Sequence, residues 1–191
     1  MRKTAGLVVV AVLCMALCAP AFAQEASRPK KLGAPAEMQP IAALAGTWEV
    51  DFEARQGPDE PFMNYQTTSK IEPILDGAFV QEVISQPMRK GPPIRLIGIW
   101  GYDRYRKVYR FAWLDDTFAM FDVHEGQWRN GALVVNNLLA ATALPIEGQE
   151  IYGQMTWSDF KENEFSVDSS VSTDCGATWW TQARGRYRRS R

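Results

Sequence analysis

The amino-acid sequence predicts an all-β protein, an antiparallel up-and-down meander of about ten strands that closes into a β-barrel. From Gly46 onward, stretches of about six to ten residues rich in β-branched and aromatic side chains alternate with Gly, Pro, Asn or Asp. No helical periodicity persists there over about ten residues. Closure is expected because it removes sheet edges that would otherwise pair with other chains, and a two-sheet sandwich is the alternative.

The first residues have the pattern of an export signal. Arg2 and Lys3 precede an apolar run over residues 5–17, and Ala21-Phe22-Ala23 offers small residues where a signal peptidase cuts. We therefore expect a signal peptide over residues 1–23, cleavage after Ala23, and a periplasmic or secreted protein. The apolar run is too short for a membrane span and no second run follows, so we expect a soluble protein without a transmembrane segment.

The mature chain is predicted to be one folded domain behind a tether. Residues 24–39 contain prolines and lysines but almost no large apolar side chains, as disordered tethers do. The folded domain is assigned to residues 40–191, which is long enough to bury one core. Removing the two cations of residues 1–23 from 21 basic and 22 acidic residues leaves 19 − 22 = −3. This charge gives no reason to expect nucleic acid as a partner.

The first strand is the best defined. Within 46–52, Trp48, Val50 and Phe52 alternate with polar residues and share one face of a half-buried strand. The apolar segment 41–45 before it can form one helical turn. Further on, Asp76-Gly77 predicts a tight turn and Asn130-Gly131 a two-residue hairpin. Strands are predicted at 46–54, 64–72, 78–85, 94–101, 107–114, 117–124, 131–138, 150–157, 164–172 and 178–188.

Several of these segments resemble a known family. Gly46-Thr47-Trp48-Glu49 after a short helical turn is similar to the start of lipocalin-type barrels. That start, segments 74–82 and 98–103, and the closing Tyr187-Arg188-Arg189 together resemble the secreted bacterial family known as domain of unknown function 1579, over roughly residues 41–189. The resemblance implies a lipocalin-like barrel and brings no catalytic residues with it.

A second, local resemblance lies near the end of the chain. Ser172-Thr173-Asp174-Cys175-Gly176-Ala177-Thr178-Trp179 looks like the Asp-box hairpin of sialidases and other propellers. A propeller needs several copies at a fixed period, and this chain has one. We therefore interpret the segment as a structural hairpin in which Asp174 and Gly176 form the turn and Trp179 packs across its base.

Aromatic side chains are the main candidates for a binding site. Alternating aromatic residues on two neighbouring strands can either fill the barrel or line a cavity for one small apolar or amphipathic ligand. Gln154 shares a strand face with Tyr152, opposite Met155 and Trp157, and could orient such a ligand. The predicted ligand-binding residues are Trp100, Phe111, Trp113, Tyr152 and Gln154, and a solid aromatic core is the alternative.

Catalytic, cofactor and metal motifs are missing from the sequence. No Gly-x-Ser-x-Gly elbow and no Gly-rich phosphate loop occurs. His124 is the single histidine, and without converging ligands it is expected to face solvent at a hairpin end. The adjacent Asp115 and Asp116 point to opposite strand faces and favour a turn. An enzyme using Asp115, His124 or Tyr102 is the less favoured alternative, and no cofactor, metal or catalytic residue is assigned.

Charged and reactive residues cluster late in the chain. Arg184, Arg186 and Arg188 alternate on the last strand and are expected on an outward, solvated face. The resemblance to lipocalin-type barrels implies, as an alternative, that Arg184 or Arg186 stacks on Trp48 and closes the barrel end. Cys175 is unpaired after signal removal, so the protein is predicted to be a monomer or a homodimer. A further alternative is an envelope interaction or structural protein with a filled barrel, which uses these arginines or Cys175.

Overall fold

A computed structural model describes residues 31–86 and 91–191. A 3-10 turn (Ala36–Met38) and a one-turn helix, α1 (Gln39–Ala42), lead into the first strand, and a second short helix, α2 (Asn137–Ala140), follows the seventh. The strands are β1 (Gly46–Ala54), β2 (Met63–Ile74), β3 (Phe79–Gln86), β4 (Ile94–Asp103), β5 (Val108–Asp115), β6 (Phe121–Arg129), β7 (Ala132–Asn136), β8 (Leu144–Ile146), β9 (Gln149–Lys161), β10 (Glu164–Ser172) and β11 (Trp180–Arg189).

The strands form a closed antiparallel barrel. Their order is β10-β11-β1-β2-β3-β4-β5-β6-β7-β9-β8, and β10 also pairs with β9, which closes the ring. Ten strands make the barrel, and β8 adds to β9 outside it. The predicted all-β meander is therefore confirmed, whereas β8 and α2 were not predicted because each is only a few residues long.

Turn chemistry fixes the register between neighbouring strands. Asp76 (φ 56°) and Gly77 (φ 80°) have left-handed backbone in the turn between β2 and β3. Asn130 (φ 51°) and Gly131 (φ 79°) do the same between β6 and β7, as a type I′ hairpin requires. Both predicted turns are confirmed. The predicted break at residues 90–93 lies partly outside the described residues.

The two ends of the barrel are built differently. At the closed end, short turns at 75–78, 104–107, 130–131 and 162–163 join the strands. At the open end, the connections within the described residues are longer: 55–62, 116–120, 137–148 and 173–179. Every strand of the meander runs from one end to the other, so each strand contributes inward side chains to both ends of the interior.

The N-terminal segment, residues 33–45, covers the closed end. Met38 and Ile41 are buried in the core. The Tyr109 hydroxyl donates to the Glu37 carbonyl (2.8 Å), and the Trp48 indole Nε1 donates to the Leu44 carbonyl (2.8 Å). The ordered body therefore begins ahead of the predicted boundary at residue 40. The predicted signal peptide and the tether up to residue 30 lie outside the described residues.

Aromatic side chains fill the middle of the barrel. Trp100, Phe111 and Trp157 pack on one another with ring centroids 4.9–5.5 Å apart, and all are buried. Gly98 makes this packing possible, because a Cβ there would lie 2.8 Å from the Phe111 ring. In the described ranges, no helix has both the length and the apolar character that a membrane crossing requires.

Candidate functional site

The open end of the barrel contains a cavity of about 480 Å³. Inward-facing residues of the strands line it, and the aromatic layer of Trp157 lies beneath it. This volume is in the range of pockets that hold small organic ligands. Its lining includes six aromatic side chains, Phe52, Tyr65, Trp113, Phe118, Trp157 and Tyr187, together with apolar Met63, Ile84, Ile94, Leu96, Met120, Met155, Val167 and Ala183.

A buried carboxyl group lies among these apolar side chains. Glu82 is 2% exposed, and Ser69 Oγ donates to its Oε1 (2.5 Å). Tyr187 hydrogen-bonds to the same carboxyl. Burial raises the pKa of Glu82 above its ordinary value of 4.5, which the two hydrogen bonds only partly offset. Burial and the neighbouring Glu82 raise the pKa of Tyr187 as well. Burial therefore favours the neutral form of both groups.

A second acidic side chain, Asp115, lines the cavity near its mouth. Asp115 follows Trp113 on the inward face of β5, and its Oδ1 accepts the backbone N–H of Thr117 (2.9 Å) and of Phe118 (2.6 Å). The Asp115 turn is therefore as predicted. Its Oδ2 is buried and has no hydrogen-bond partner within the described structure. Asp116 points outward and pairs with Arg95 (2.8 Å).

Arg55 is the cation of the cavity lining. Its Nε donates to the Thr181 carbonyl (2.7 Å) and its Nη1 to the Pro58 carbonyl (2.5 Å). The guanidinium carbon lies 4.7 Å from the Phe62 ring centroid and 5.6 Å from that of Trp180. These contacts tie the loop 55–62 to the start of β11.

His124 lies inside the barrel, and the expectation of a solvent-facing histidine is wrong. It is 4% exposed, and its Nε2 is 2.7 Å from Asp122 Oδ2. Asn137 Nδ2 donates to Asp122 Oδ1 (3.3 Å), and Asn137 Oδ1 accepts the Gly153 N–H (2.9 Å). The physical reason is that His124 shares the inward face of β6 with Asp122 and packs edge-on against Phe111, while Asn137 of α2 bonds to Asp122. This cluster of Asp122, His124 and Asn137 fills one wall and does not line the cavity.

The structure brings only part of the predicted ligand set to the cavity. Trp113 lines it, whereas Trp100 and Phe111 lie in the packed aromatic layer. On β9, Met155 and Trp157 line the cavity, so Tyr152 and Gln154 point away from it. Tyr152 instead donates to Glu150 and lies 3.5 Å from Cys175 Sγ. The lining of β9 is therefore corrected from Tyr152 and Gln154 to Met155 and Trp157.

The residues of the enzyme alternative are not assembled. Asp115 lines the cavity, whereas His124 lies in the cluster with Asp122 and Asn137 and does not line it. Tyr102 packs edge-on against Tyr109 at the closed end (5.1 Å). A catalytic arrangement of these three side chains is therefore absent from the described structure.

The barrel-closing contact involves a different arginine from those predicted. The Arg189 guanidinium lies 4.3 Å from the Trp48 ring centroid, and its Nη1 donates to the Ala45 carbonyl (2.8 Å). Arg184 and Arg186 are exposed, because they lie on the outward face of β11. The role passes to Arg189 because it lies directly opposite Trp48 in the pairing of β11 with β1, on the strand face opposite to that of Arg184 and Arg186.

The outer arginines are largely neutralised. They border a groove of about 860 Å³ outside the barrel. Arg184 pairs with Glu53 (3.0 Å) and Arg188 with Asp51 (2.8 Å). Exposed pairs of this kind contribute about 0–1 kcal/mol each. This groove therefore presents balanced charge and few apolar contacts to a ligand.

The Asp-box segment is a hairpin, as predicted. Asp174 accepts hydrogen bonds from the Thr178 N–H (2.9 Å) and hydroxyl (2.6 Å), and from Ser172 Oγ (2.7 Å). The bonds from Thr178 are the main reason that the pKa of Asp174 falls to about 2. Trp179 Nε1 donates to the Gly176 carbonyl (3.0 Å), which packs the indole against the turn. Cys175 is exposed at its tip.

The buried carboxyl group of Glu82 was not predicted, although the alternation that marks it is present in the sequence. Val80, Glu82 and Ile84 alternate with residues of the outer face, so an acidic side chain lies on the apolar face of β3. A charged residue in such a position is rare unless it is paired or neutral. This pattern marks Glu82, and the same alternation places Tyr187 beside Ala183 on β11.

Comparisons with known proteins assign the chain to a family. No curated protein matches the chain. Among solved structures, a redesigned beta barrel is similar with a TM-score of 0.40 and 14% identity, over 78% of this chain and 96% of that one. The family model described as "Protein of unknown function (DUF1579)" matches residues 34–189. The match covers most of the chain and confirms the resemblance seen in the sequence, so the chain belongs to the DUF1579 family.

Proposed function

We propose that this barrel is a binding protein that holds a small apolar or amphipathic molecule in its open-end cavity. The observation that carries the proposal is a ring-lined cavity of about 480 Å³ above a tightly packed aromatic layer. A cavity of this kind costs stability unless it is used, because unfilled apolar space forfeits packing contacts.

The arrangement of polar groups supports a ligand with one polar end. Glu82 and Tyr187 meet in the lining, and Asp115 and Arg55 line it as well. Most of the remaining wall is apolar. Sites for small molecules combine mostly hydrophobic walls with a few placed polar groups, and this cavity matches that description.

We further propose that the protein works in the periplasm or outside the cell. The support is the sequence alone: Arg2 and Lys3, the apolar run at 5–17 and the small residues before the proposed cut after Ala23. Cleavage is checked by N-terminal sequencing of the protein from the envelope fraction of its own cells. A chain that still begins at Met1 in the cytoplasm would contradict this proposal.

The binding proposal is tested by titration with N-phenylnaphthylamine, an uncharged probe that fluoresces in apolar surroundings. Ala183 is 7% exposed and lines the cavity, so Ala183→Phe fills part of it. Ala112, on the outward face of β5, provides the matched control Ala112→Phe. We expect probe binding by the wild type and the control, and an affinity about tenfold lower for Ala183→Phe.

Cooperative unfolding of both variants shows that each one folds. Equal affinity of Ala183→Phe and wild type would place the probe elsewhere and contradict the proposal. A wild type that does not enhance the fluorescence would also contradict it.

A further inference from the structure

The charges around the cavity indicate which kind of polar end its ligand carries. Two carboxyl groups and one guanidinium group belong to the described lining: Glu82, Asp115 and Arg55. Glu82 already accepts from Ser69 and Tyr187, so its hydrogen-bonding capacity is used within the protein, and burial raises its pKa, which favours its neutral form. The two groups that can select a charged ligand are therefore Asp115 and Arg55.

Arg55 is committed to contacts within the protein. Two backbone carbonyls accept from it, and the Phe62 and Trp180 rings lie 4.7 and 5.6 Å from its guanidinium carbon. An anionic ligand would have to compete with these contacts. The lining therefore disfavours a carboxylate or phosphate ligand.

Asp115, in contrast, has a buried atom that makes no hydrogen bond within the described structure. Its Oδ1 is used by the turn that begins β6, since it accepts from Thr117 and Phe118. Its Oδ2 is shielded from solvent and has no partner in the described structure, although buried carboxylate oxygens are almost always hydrogen-bonded. Because Asp115 shares the inward face of β5 with Trp113, this oxygen belongs to the cavity side of the strand. It needs a donor, and a cationic donor would bind it most strongly.

The aromatic rings of the cavity lining also favour a ligand with a cationic group. Trp113 is two residues before Asp115 and Phe118 three residues after it, and both line the cavity. Aromatic rings attract ammonium groups through their negative faces, most strongly where water is excluded. A carboxylate beside aromatic rings is thus a site for a protonated amine.

We propose that the ligand is an apolar amine whose ammonium group donates to Asp115 Oδ2 while its hydrocarbon part occupies the ring-lined cavity. This inference rests on the proposed binding function and specifies its ligand class. It also assigns Asp115 as the residue that determines specificity.

The test uses three ten-carbon probes, decylamine, decanol and decanoate, which differ in their polar group. Each is used below its critical micelle concentration. Binding is followed by the intrinsic fluorescence of Trp113 and Trp157, which line the cavity, and by isothermal titration calorimetry. We expect the affinity for decylamine to be at least about tenfold higher than that for decanol, and the affinity for decanoate to be the lowest. Equal or tighter binding of decanol or decanoate would overturn the amine proposal while leaving the binding function intact.

Two neighbouring variants locate the charge. Asp115→Asn keeps an oxygen for the turn and removes the carboxylate, whereas Asp116→Asn removes an outward carboxylate that pairs with Arg95. We expect Asp115→Asn to weaken decylamine about tenfold and leave decanol unchanged, and Asp116→Asn to change neither. Decylamine binding that survives in Asp115→Asn would overturn the assignment. If none of the three probes binds to the wild type while N-phenylnaphthylamine does, the amine proposal fails; if N-phenylnaphthylamine does not bind either, the proposed function itself fails.

Discussion

The closed and open ends of this barrel use the same strands for opposite purposes. At the closed end, Trp48 packs edge-on against Phe165, and Met38 and Ile41 of the N-terminal segment are buried in the same core. At the open end, the same strands carry smaller or more widely spaced side chains, and a cavity of about 480 Å³ remains. The comparison indicates that stability is concentrated at one end, which leaves the other end available for binding.

Matched tryptophan substitutions should separate the two ends most strongly. Trp48 is fully buried, whereas Trp113 is half-buried and lines the cavity. We expect Trp48→Ala to lower the free energy of unfolding by about 3–5 kcal/mol, since it opens a void and removes the bond to Leu44. Trp113→Ala should cost only about 1–2 kcal/mol. Urea unfolding measures both, and equal losses would show that the two ends are packed alike.

Substitution in the polar cluster of Asp122, His124 and Asn137 should have the next largest effect on stability. Asn137 is fully buried and bonds to Asp122 and to the Gly153 N–H. Asn137→Ala leaves those groups without partners and should cost about 1–3 kcal/mol in thermal or urea unfolding. The exposed Asn64 supplies the control, because Asn64→Ala should stay within about 0.5 kcal/mol of the wild type. A neutral Asn137→Ala would mean that α2 is held by other contacts.

The buried carboxyl makes the open end sensitive to pH. In the unfolded chain Glu82 ionises near its ordinary pKa of 4.5, whereas burial raises its pKa in the folded barrel. Above pH 4.5 the unfolded state therefore binds fewer protons, and stability falls as the pH rises. The slope from this group is about 1.4 kcal/mol per pH unit until the folded pKa is passed.

Glu82→Gln removes this dependence without changing the size of the side chain. We expect its stability advantage over wild type to grow with pH above 4.5, as followed by urea unfolding at several pH values. Parallel pH profiles of the two proteins would show that Glu82 ionises in the folded state much as it does in the unfolded one.

The arginine that covers the closed end should have the smallest effect. Arg189 lies over the Trp48 ring and donates to the Ala45 carbonyl, while Arg188 is exposed and pairs with Asp51. We expect Arg189→Ala to lower the free energy of unfolding by about 1 kcal/mol more than Arg188→Ala does. Thermal unfolding of the two variants is the measurement. A larger loss in Arg188→Ala would reverse the assignment of the closing residue.

The fold could be predicted from the sequence because the local patterns, alternation in the strands and turn residues between them, all indicate the same antiparallel meander. Alternation located ten strands, and Asn130-Gly131 located a hairpin that the backbone confirms. The cavity was harder to locate, since alternation shows that two faces exist and does not say which one is inside. Tyr152 and Gln154 were placed on the wrong side of β9 for this reason. His124 was misplaced because its partners Asp122, Asn137 and Gly153 meet only after α2 turns inward.

The most direct test of a hollow, ligand-holding open end is native mass spectrometry of the protein purified from its own cells, before and after organic extraction. We predict a reproducible mass adduct that extraction removes and that Ala183→Phe, purified in the same way, lacks. An adduct with the mass of an organic amine would also support the assignment of Asp115. A clean mass for the wild type, unchanged by extraction, would contradict the account and favour a barrel with a structural or interaction role.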